Sequence, residues 1–230
     1  MQIINLSGKK LSKAIFIISI VLTALLTLIL LLFSKEIQLL VREIKQLPKL
    51  KLALYIAAGV VIYLLSIIVH ELIHGFYFAK FSKSGWKCVK FGIAKNLSYG
   101  YATCPEPITV KQYRIVGMMP TFILGFIPLL LYFAWGNTLL LLYSLFMILS
   151  GIGDFLVFWL IRKLPGDTLV VDQPKGFGYI LLEDNYDEEE LKKLLEEETP
   201  QEEIKFSFKY FIVTFLAGLI TALAYKFLFK

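Results

Sequence analysis

Five long apolar segments constrain the fold of this chain more than any other feature. They are Ala14–Phe33, Leu52–Phe78, Ile115–Trp135, Leu139–Ile161 and Tyr210–Phe229. Each is long enough to cross a hydrocarbon core of about 30 Å as a helix. The chain is 57% hydrophobic and only 18% charged, which is typical of a membrane protein. The sequence therefore predicts a mainly α, polytopic membrane protein with about five transmembrane helices.

The distribution of charge predicts an orientation for these helices. The loop after the second segment contains seven basic residues and one acid, Glu106, and basic residues also precede the first segment and follow the fourth. Because positive charge accumulates on the cytoplasmic side, we expect the N-terminus and both long loops in the cytoplasm. The basic, amphipathic stretch between the first two segments could lie on the outer surface. Basic residues that flank the apolar segments explain most of the net charge of +6. No nucleic-acid motif accompanies it, so we expect no nucleic-acid partner.

Two loops show the alternation and turn residues of short β-hairpins, at Trp86–Val110 and Thr168–Leu182. The first is either a structured connector or an edge that could pair with an extended peptide. It contains both cysteines, Cys88 and Cys104, which in a cytosolic loop should be reduced thiols without a metal or disulfide role. Beyond the second hairpin, Asp187–Glu196 reads as an acidic surface helix.

Both histidines of the chain lie in one run inside the second apolar segment, His70-Glu71-Leu72-Ile73-His74. Residues four apart share a face of a helix, so both imidazoles can reach one ion. Glu71 lies beside them and can act as general base toward a water that the metal activates. A purely structural pair of histidines would leave two imidazoles and a carboxylate unpaired in lipid, which is costly. The run therefore predicts a metal site, and zinc is the ion that this spacing favours.

A catalytic zinc usually has three protein ligands and one open position. Asp154 is the only acid between Ile115 and Ile161, and it lies at a depth similar to that of the histidines. We therefore expect His70, His74 and Asp154 to bind the zinc. Asp172 and Glu106 are alternative ligands, since either loop could fold back. A structural hydrogen bond between helices is the alternative role for Asp154.

This combination of features resembles the site-2 protease type of intramembrane metalloprotease. A nearer resemblance is to a bacterial family of integral membrane zincin peptidases. That family shares the His-Glu-x-x-His-Gly run, a proline-bearing helix (Met119-Pro120-Thr121) and a Gly-Asp pair (Gly153-Asp154). It also has an Asp-x-Pro-x-x-Gly segment, which Asp172 to Gly176 match with the glycine one position early. The resemblance covers roughly residues 52–182.

The resemblance implies that His70, His74 and Asp154 bind zinc and that Glu71 is the base. It also implies a protein integral to a bacterial plasma membrane. Two features depart from the site-2 protease pattern. Glycine precedes the aspartate instead of following it, and the third segment has no Asn-Pro element. The group that would stabilise an oxyanion is therefore unassigned.

These observations favour a membrane-embedded zinc metalloprotease that cleaves membrane-associated or transmembrane proteins near the cytosolic face. The alternatives are a non-catalytic zinc protein that acts as adaptor or chaperone, and a metal transporter, for which the outer halves of the segments offer few polar residues. An intact Glu71 favours the enzyme. We expect four regions: an anchor helix and amphipathic linker (1–51), a zinc-protease-like membrane core (52–182), an acidic cytosolic helix (183–205) and a C-terminal transmembrane helix (206–230).

Overall fold

The computed structural model describes residues 2–5, 17, 20, 21, 24, 28, 32–93, 100–172, 178–182 and 186–196. The chain divides into two compact units. The first comprises Met1–Leu6 and Ile56–Gln201, and the second comprises Ser7–Tyr55 and Glu202–Lys230. Every candidate site residue belongs to the first unit.

The described residues are mainly helical. The helices are α1 (Ser34–Gln46), α2 (Lys49–Phe81), α3 (Val110–Thr121), α4 (Ile127–Trp135), α5 (Thr138–Ser150), α6 (Ile152–Ile161) and α7 (Glu188–Glu196), with a 3-10 turn at Gly85–Lys87 and a π-helical segment at Phe122–Phe126. The strands are β1 (Gln2–Asn5), β2 (Lys90–Ile93), β3 (Gly100–Thr103), β4 (Ile108–Thr109), β5 (Leu169–Asp172) and β6 (Gly178–Leu181).

Two of the described helices are long and apolar enough to cross a membrane. They are α2, with 33 residues, and the continuous helix from α3 to α4, with 26 residues. A third span results if α5 and α6, bent by 49° at their junction, are counted as one. These three correspond to the second, third and fourth predicted spans. The fifth predicted span and most of the first lie outside the described residues, so the structure supports a membrane protein but not a count of five spans.

The rod formed by α3 and α4 changes its helical type between Pro120 and Pro128. The segment between them, Phe122–Phe126, is π-helical. A proline has no N–H to donate, so the regular ladder of hydrogen bonds is interrupted at each of these positions. Gly125 in this segment lies so close to Ile148 of α5 that an added Cβ would come within 2.6 Å of the Ile148 side chain. The irregular segment therefore packs tightly against α5.

Two antiparallel sheets lie at the ends of these helices. One has the strand order β1-β6-β5-β4, and the other is the hairpin β2-β3. Both predicted hairpins are confirmed, by the β2–β3 pair and by the β5–β6 pair. The sequence did not predict that β1 and β4 would join the larger sheet. Because β1, β4, β5 and β6 share one sheet, the chain segments that contain them lie at the same end of the helices.

The predicted acidic helix is also confirmed, as α7. It is not a freely solvated element, because Leu191 on its inner face is buried against Val171, Ile180 and Leu182 of the larger sheet and its margin. The carboxylates of Glu188, Glu189 and Glu190 lie in its first turn, where they favour the helix dipole.

The main core joins the ends of α2, α3 and α6 to the larger sheet. Phe78, Tyr113, Ile161 and Val170 are buried there and come from four different elements. Arg114 strengthens the same junction, since its Nη2 donates to the carbonyls at the end of α6: Ile161 at 2.8 Å, Arg162 at 3.1 Å and Leu164 at 2.7 Å. Ile161 also accepts from the Leu164 N–H at 3.1 Å, and the guanidinium adds a donor at a helix end, where the regular ladder of N–H donors stops.

Cys88 and Cys104 form a disulfide, so the prediction of two reduced thiols was wrong. The prediction rested on the compartment expected for the loop and could not account for the fold, which brings the two Cα atoms to 5.1 Å. Cys88 follows the 3-10 turn and Cys104 follows β3, so the bond ties the end of α2 to the smaller hairpin. Both residues are buried, with Cys104 fully enclosed.

Candidate metal centre

His70 and His74 lie on one face of α2, one helical turn apart. They belong to a narrow buried stripe on a helix that otherwise exposes apolar side chains, and only 8% and 9% of their surfaces are exposed. Burial of both imidazoles on an otherwise lipid-compatible helix agrees with the prediction that they serve one site. Asp154 faces them from the first turn of α6, next to the bend at Gly151.

The three side chains meet in a small triangle of ligand atoms. His70 Nε2 lies 3.2 Å from His74 Nε2 and 3.1 Å from Asp154 Oδ2, and His74 Nε2 lies 3.4 Å from Asp154 Oδ1. Ligands about 2.0–2.1 Å from a tetrahedral zinc are separated by about 3.3 Å. The spacing therefore fits three corners of a zinc tetrahedron.

The carboxylate of Asp154 has few other partners. Its Oδ2 is buried, and besides the approach of 3.1 Å to His70 Nε2 it forms no hydrogen bond with any residue that the structure describes. A buried carboxylate without a full set of donors is costly in an apolar environment. A cation between the two imidazoles and the carboxylate would remove that cost, so the residues present fit zinc.

A backbone carbonyl fixes the orientation of His74. Its Nδ1 lies 2.9 Å from the carbonyl oxygen of Val116 in α3, so the Nδ1–H can donate to this oxygen. The proton is then held on Nδ1, which leaves the Nε2 lone pair free to face the triangle. Sequence reasoning missed Val116, because a backbone carbonyl gives no signal in the identity of its residue.

Glu71 lies at the border between α2 and the hairpin β2–β3. A Cβ added to Gly100, the first residue of β3, would lie 3.3 Å from Glu71 Cγ. One turn further along α2, a Cβ added to Gly75 would lie 2.5 Å from the ring of Phe91 in β2. The two glycines thus allow the hairpin to lie directly over the helix that carries the histidines. Glu71 is partly buried between them.

Neither alternative ligand joins the triangle. Asp172 accepts a hydrogen bond of 2.5 Å from the Tyr113 hydroxyl, and burial raises the pKa of its carboxyl to about 6. Glu106 accepts a hydrogen bond of 3.1 Å from the Ser84 N–H. Glu106 does lie close to Cys88 and Cys104. The two sulfurs are bonded to each other, however, and this group is therefore not a second metal site in the disulfide form.

Residues 63–169 match the family model described as "Putative zincin peptidase". This range contains both histidines, Glu71 and Asp154. No curated protein and no solved structure matches the chain. The match supports a zincin-like family for this chain, and it thereby suggests a zinc metallopeptidase.

Proposed function

We propose that this protein is a membrane-embedded zinc metalloprotease, with His70, His74 and Asp154 as zinc ligands and Glu71 as general base. The observation that carries the proposal is the triangle of ligand atoms, with separations of 3.1, 3.2 and 3.4 Å, next to a carboxylate that takes no part in it. A structural zinc site has no need of Glu71, whereas hydrolysis needs a base at this position.

The proposed hydrolysis assigns proton transfer to Glu71 and the orientation of His74 to the Val116 carbonyl. When bound, zinc supplies Lewis acidity, which makes water acidic enough to ionise near neutral pH. Glu71 would take a proton from the attacking water as its oxygen bonds to the peptide carbonyl carbon, and would deliver that proton to the amine as the C–N bond breaks. The Val116 carbonyl keeps the His74 imidazole in the tautomer that binds metal, and the partly buried position of Glu71 limits access of bulk water to the reaction.

The substrate that we propose is an extended segment of a membrane-associated or transmembrane protein. Strand β3 pairs with β2 on one side only within the described residues, and its first residue, Gly100, lies against Glu71. A peptide that added to the other edge of β3 as a strand would pass beside the proposed base. Backbone pairing would also satisfy the peptide's N–H and C=O groups at a depth where water is scarce.

We further propose that the site opens to the cytoplasm of a bacterial cell. The seven basic residues after the second span favour this orientation. The Cys88–Cys104 disulfide favours an oxidising compartment instead. We give the charges more weight, because Cys104 is fully buried and reductants in the cytoplasm would reach its sulfur with difficulty.

The test is a comparison of membrane proteomes from cells with wild-type protein, Glu71→Gln and a deletion. Glu71→Gln is nearly isosteric and should retain zinc but lose about 10²–10⁴-fold in rate, so a full-length substrate should accumulate as it does in the deletion strain. His74→Ala is the matched control, since it should accumulate the same substrate with loss of zinc. If Glu71→Gln cells match the wild type while the deletion strain has a phenotype, the protein acts without hydrolysis and an adaptor replaces the protease.

A further inference from the structure

Two tyrosine–serine pairs connect α2 with α5. The Tyr63 hydroxyl lies 3.2 Å from Ser150 Oγ, and the Tyr143 hydroxyl lies 3.0 Å from Ser66 Oγ. Each helix contributes one tyrosine and one serine. The ring of Tyr63 also packs edge-on against Phe146, with 6.3 Å between ring centroids. We call these four residues the hydroxyl clasp.

The hydrogen bonds of the clasp have a defined direction. Each serine donates its only hydroxyl proton to a carbonyl one turn earlier in its own helix, from Ser66 to Ile62 at 2.8 Å and from Ser150 to Phe146 at 2.9 Å. The serine oxygen can therefore only accept from the tyrosine opposite. In one pair Tyr63 of α2 donates to Ser150 of α5, and in the other Tyr143 of α5 donates to Ser66 of α2.

The clasp lies next to the proposed zinc ligands. Ser66 is four residues before His70 and shares its face of α2, and Ser150 is four residues before Asp154. His70 lies in α2, and Asp154 lies in α6, which follows α5 after the bend. Their ligand atoms must lie about 3.3 Å apart to share a tetrahedral ion. Any change in the separation of α2 from α5 and α6 would alter that distance.

Hydroxyl pairs can maintain the separation of α2 and α5 because they lie in an apolar environment. Ser66 is buried. Two of the four residues lie in α2, which is apolar enough to cross a membrane, and the other two lie in α5, which meets the same condition when counted with α6 as one span. In hydrocarbon no water replaces a lost partner, so parting the helices would leave two tyrosine hydroxyls unpaired. We infer that the hydroxyl clasp holds α2 and α5 at the separation at which His70 and Asp154 bind one metal ion. Its members are positioning residues, and the inference rests on the proposed zinc site.

The inference is tested by titrating purified, metal-free protein in detergent with Co²⁺, whose visible absorption reports the geometry of its ligands. Tyr143→Phe and Ser66→Ala should each weaken cobalt binding about three- to tenfold, the effect of losing one hydrogen bond in a membrane. Their cobalt spectra should also differ from that of the wild type. The double variant should bind cobalt no more weakly than either single variant. Ser66→Thr, which keeps a hydroxyl, should have the cobalt affinity and spectrum of the wild type.

Ser144→Ala is the matched control. Ser144 is a fully buried serine of α5 whose hydroxyl donates to Leu141 within the same helix, at 2.7 Å. It should leave cobalt affinity and spectrum unchanged. Should Tyr143→Phe fail to fold, Tyr63→Phe decides the question, because that pair lies on the exposed side of the helices.

The outcomes separate this inference from the proposed function. Wild-type affinity and spectrum in the clasp variants, with cobalt bound by the wild-type protein, would overturn the clasp and leave the zinc site standing. Equal weakening by Ser144→Ala would also overturn it, since the effect would then come from general loosening of α5. A wild-type protein that binds no cobalt would overturn the proposed zinc site and the clasp together.

Discussion

At the scale of single residues, the metal triangle depends on three side chains from two helices. Replacing His74 by Ala removes one proposed ligand and also the hydrogen bond to Val116, so zinc should fall from the expected content of about one per chain to a trace. Asp154→Ala should lose zinc as well, yet remain inserted in the membrane, because removal of a charge from a span eases insertion. Elemental analysis of protein purified from membranes measures both.

Asp172→Asn is the matched control for the Asp154 variant. Asp172 is an aspartate on the neighbouring sheet and contacts Tyr113, outside the triangle. The variant should retain zinc. Full zinc in Asp154→Ala combined with loss in Asp172→Asn would show that the third ligand had been assigned to the wrong aspartate.

Asp172 also predicts a dependence of stability on pH. Its pKa is raised to about 6 in the folded protein from an ordinary value of 3.8, because burial disfavours the charged form. The folded state therefore holds the proton more tightly, and the free energy of unfolding should fall as pH rises from about 4 to about 6. The loss amounts to at most about 3 kcal/mol.

Asp172→Asn should abolish this part of the pH dependence, because an amide keeps an oxygen that accepts from Tyr113 but cannot ionise. Thermal unfolding of metal-free protein in detergent measures it, as the difference in midpoint between variant and wild type. The variant should gain stability relative to the wild type as pH rises from about 4 to about 6, the interval between the unfolded and folded pKa values, and should keep that gain at higher pH. A constant difference across that range would contradict the raised pKa.

At the scale of elements, the junction of α5 and α6 depends on a close approach to α3. A Cβ added to Gly151 would lie 2.0 Å from Thr121 Oγ1, which is fully buried. Gly151→Ala should therefore destabilise the protein by about 1–3 kcal/mol and disturb the position of Asp154 three residues later. Unfolding midpoints and zinc content measure the two effects.

Two variants test the cause of that effect. Thr121→Ala in the same protein removes the clashing oxygen and should recover much of the loss, giving a coupling that distant sites do not show. Gly117→Ala is the control on α3, since an added Cβ there meets nothing within 4 Å. If Gly117→Ala destabilises as much as Gly151→Ala, helix packing at Thr121 is not the reason.

The elements also show what could be predicted from the sequence. Long apolar runs and the period of a helix were enough for α2 and for the pairing of His70 with His74. Asp154 was found because a lone acid in an apolar run is rare. The Val116 carbonyl, the approach of Gly100 to Glu71 and the disulfide depend on contacts between distant segments. Local propensity does not encode these, and they were missed.

At the scale of the whole molecule, the orientation in the membrane can be tested by labelling. Lys83, Asn137 and Lys163 are exposed, and their replacement by cysteine places thiols after α2, between α4 and α5, and after α6. The native Cys88 and Cys104 are bonded to each other and should not react. In intact cells an impermeant thiol reagent should label Asn137→Cys only, because the proposed orientation places the other two positions in the cytoplasm. Labelling of Lys83→Cys without labelling of Asn137→Cys would show that the proposed orientation in the membrane is reversed.

The Cys88–Cys104 disulfide would keep the two fragments of the chain together after a cut between the two cysteines. The bond encloses β2 and β3 and everything between them. A cut between these strands, by the proposed activity of this protein or by another protease, would sever the backbone and leave both pieces joined through sulfur. Such a nicked molecule would migrate as one band on a non-reducing gel and as two after reduction. Self-processing at the hairpin, next to Glu71, would therefore escape any assay that omits a reductant.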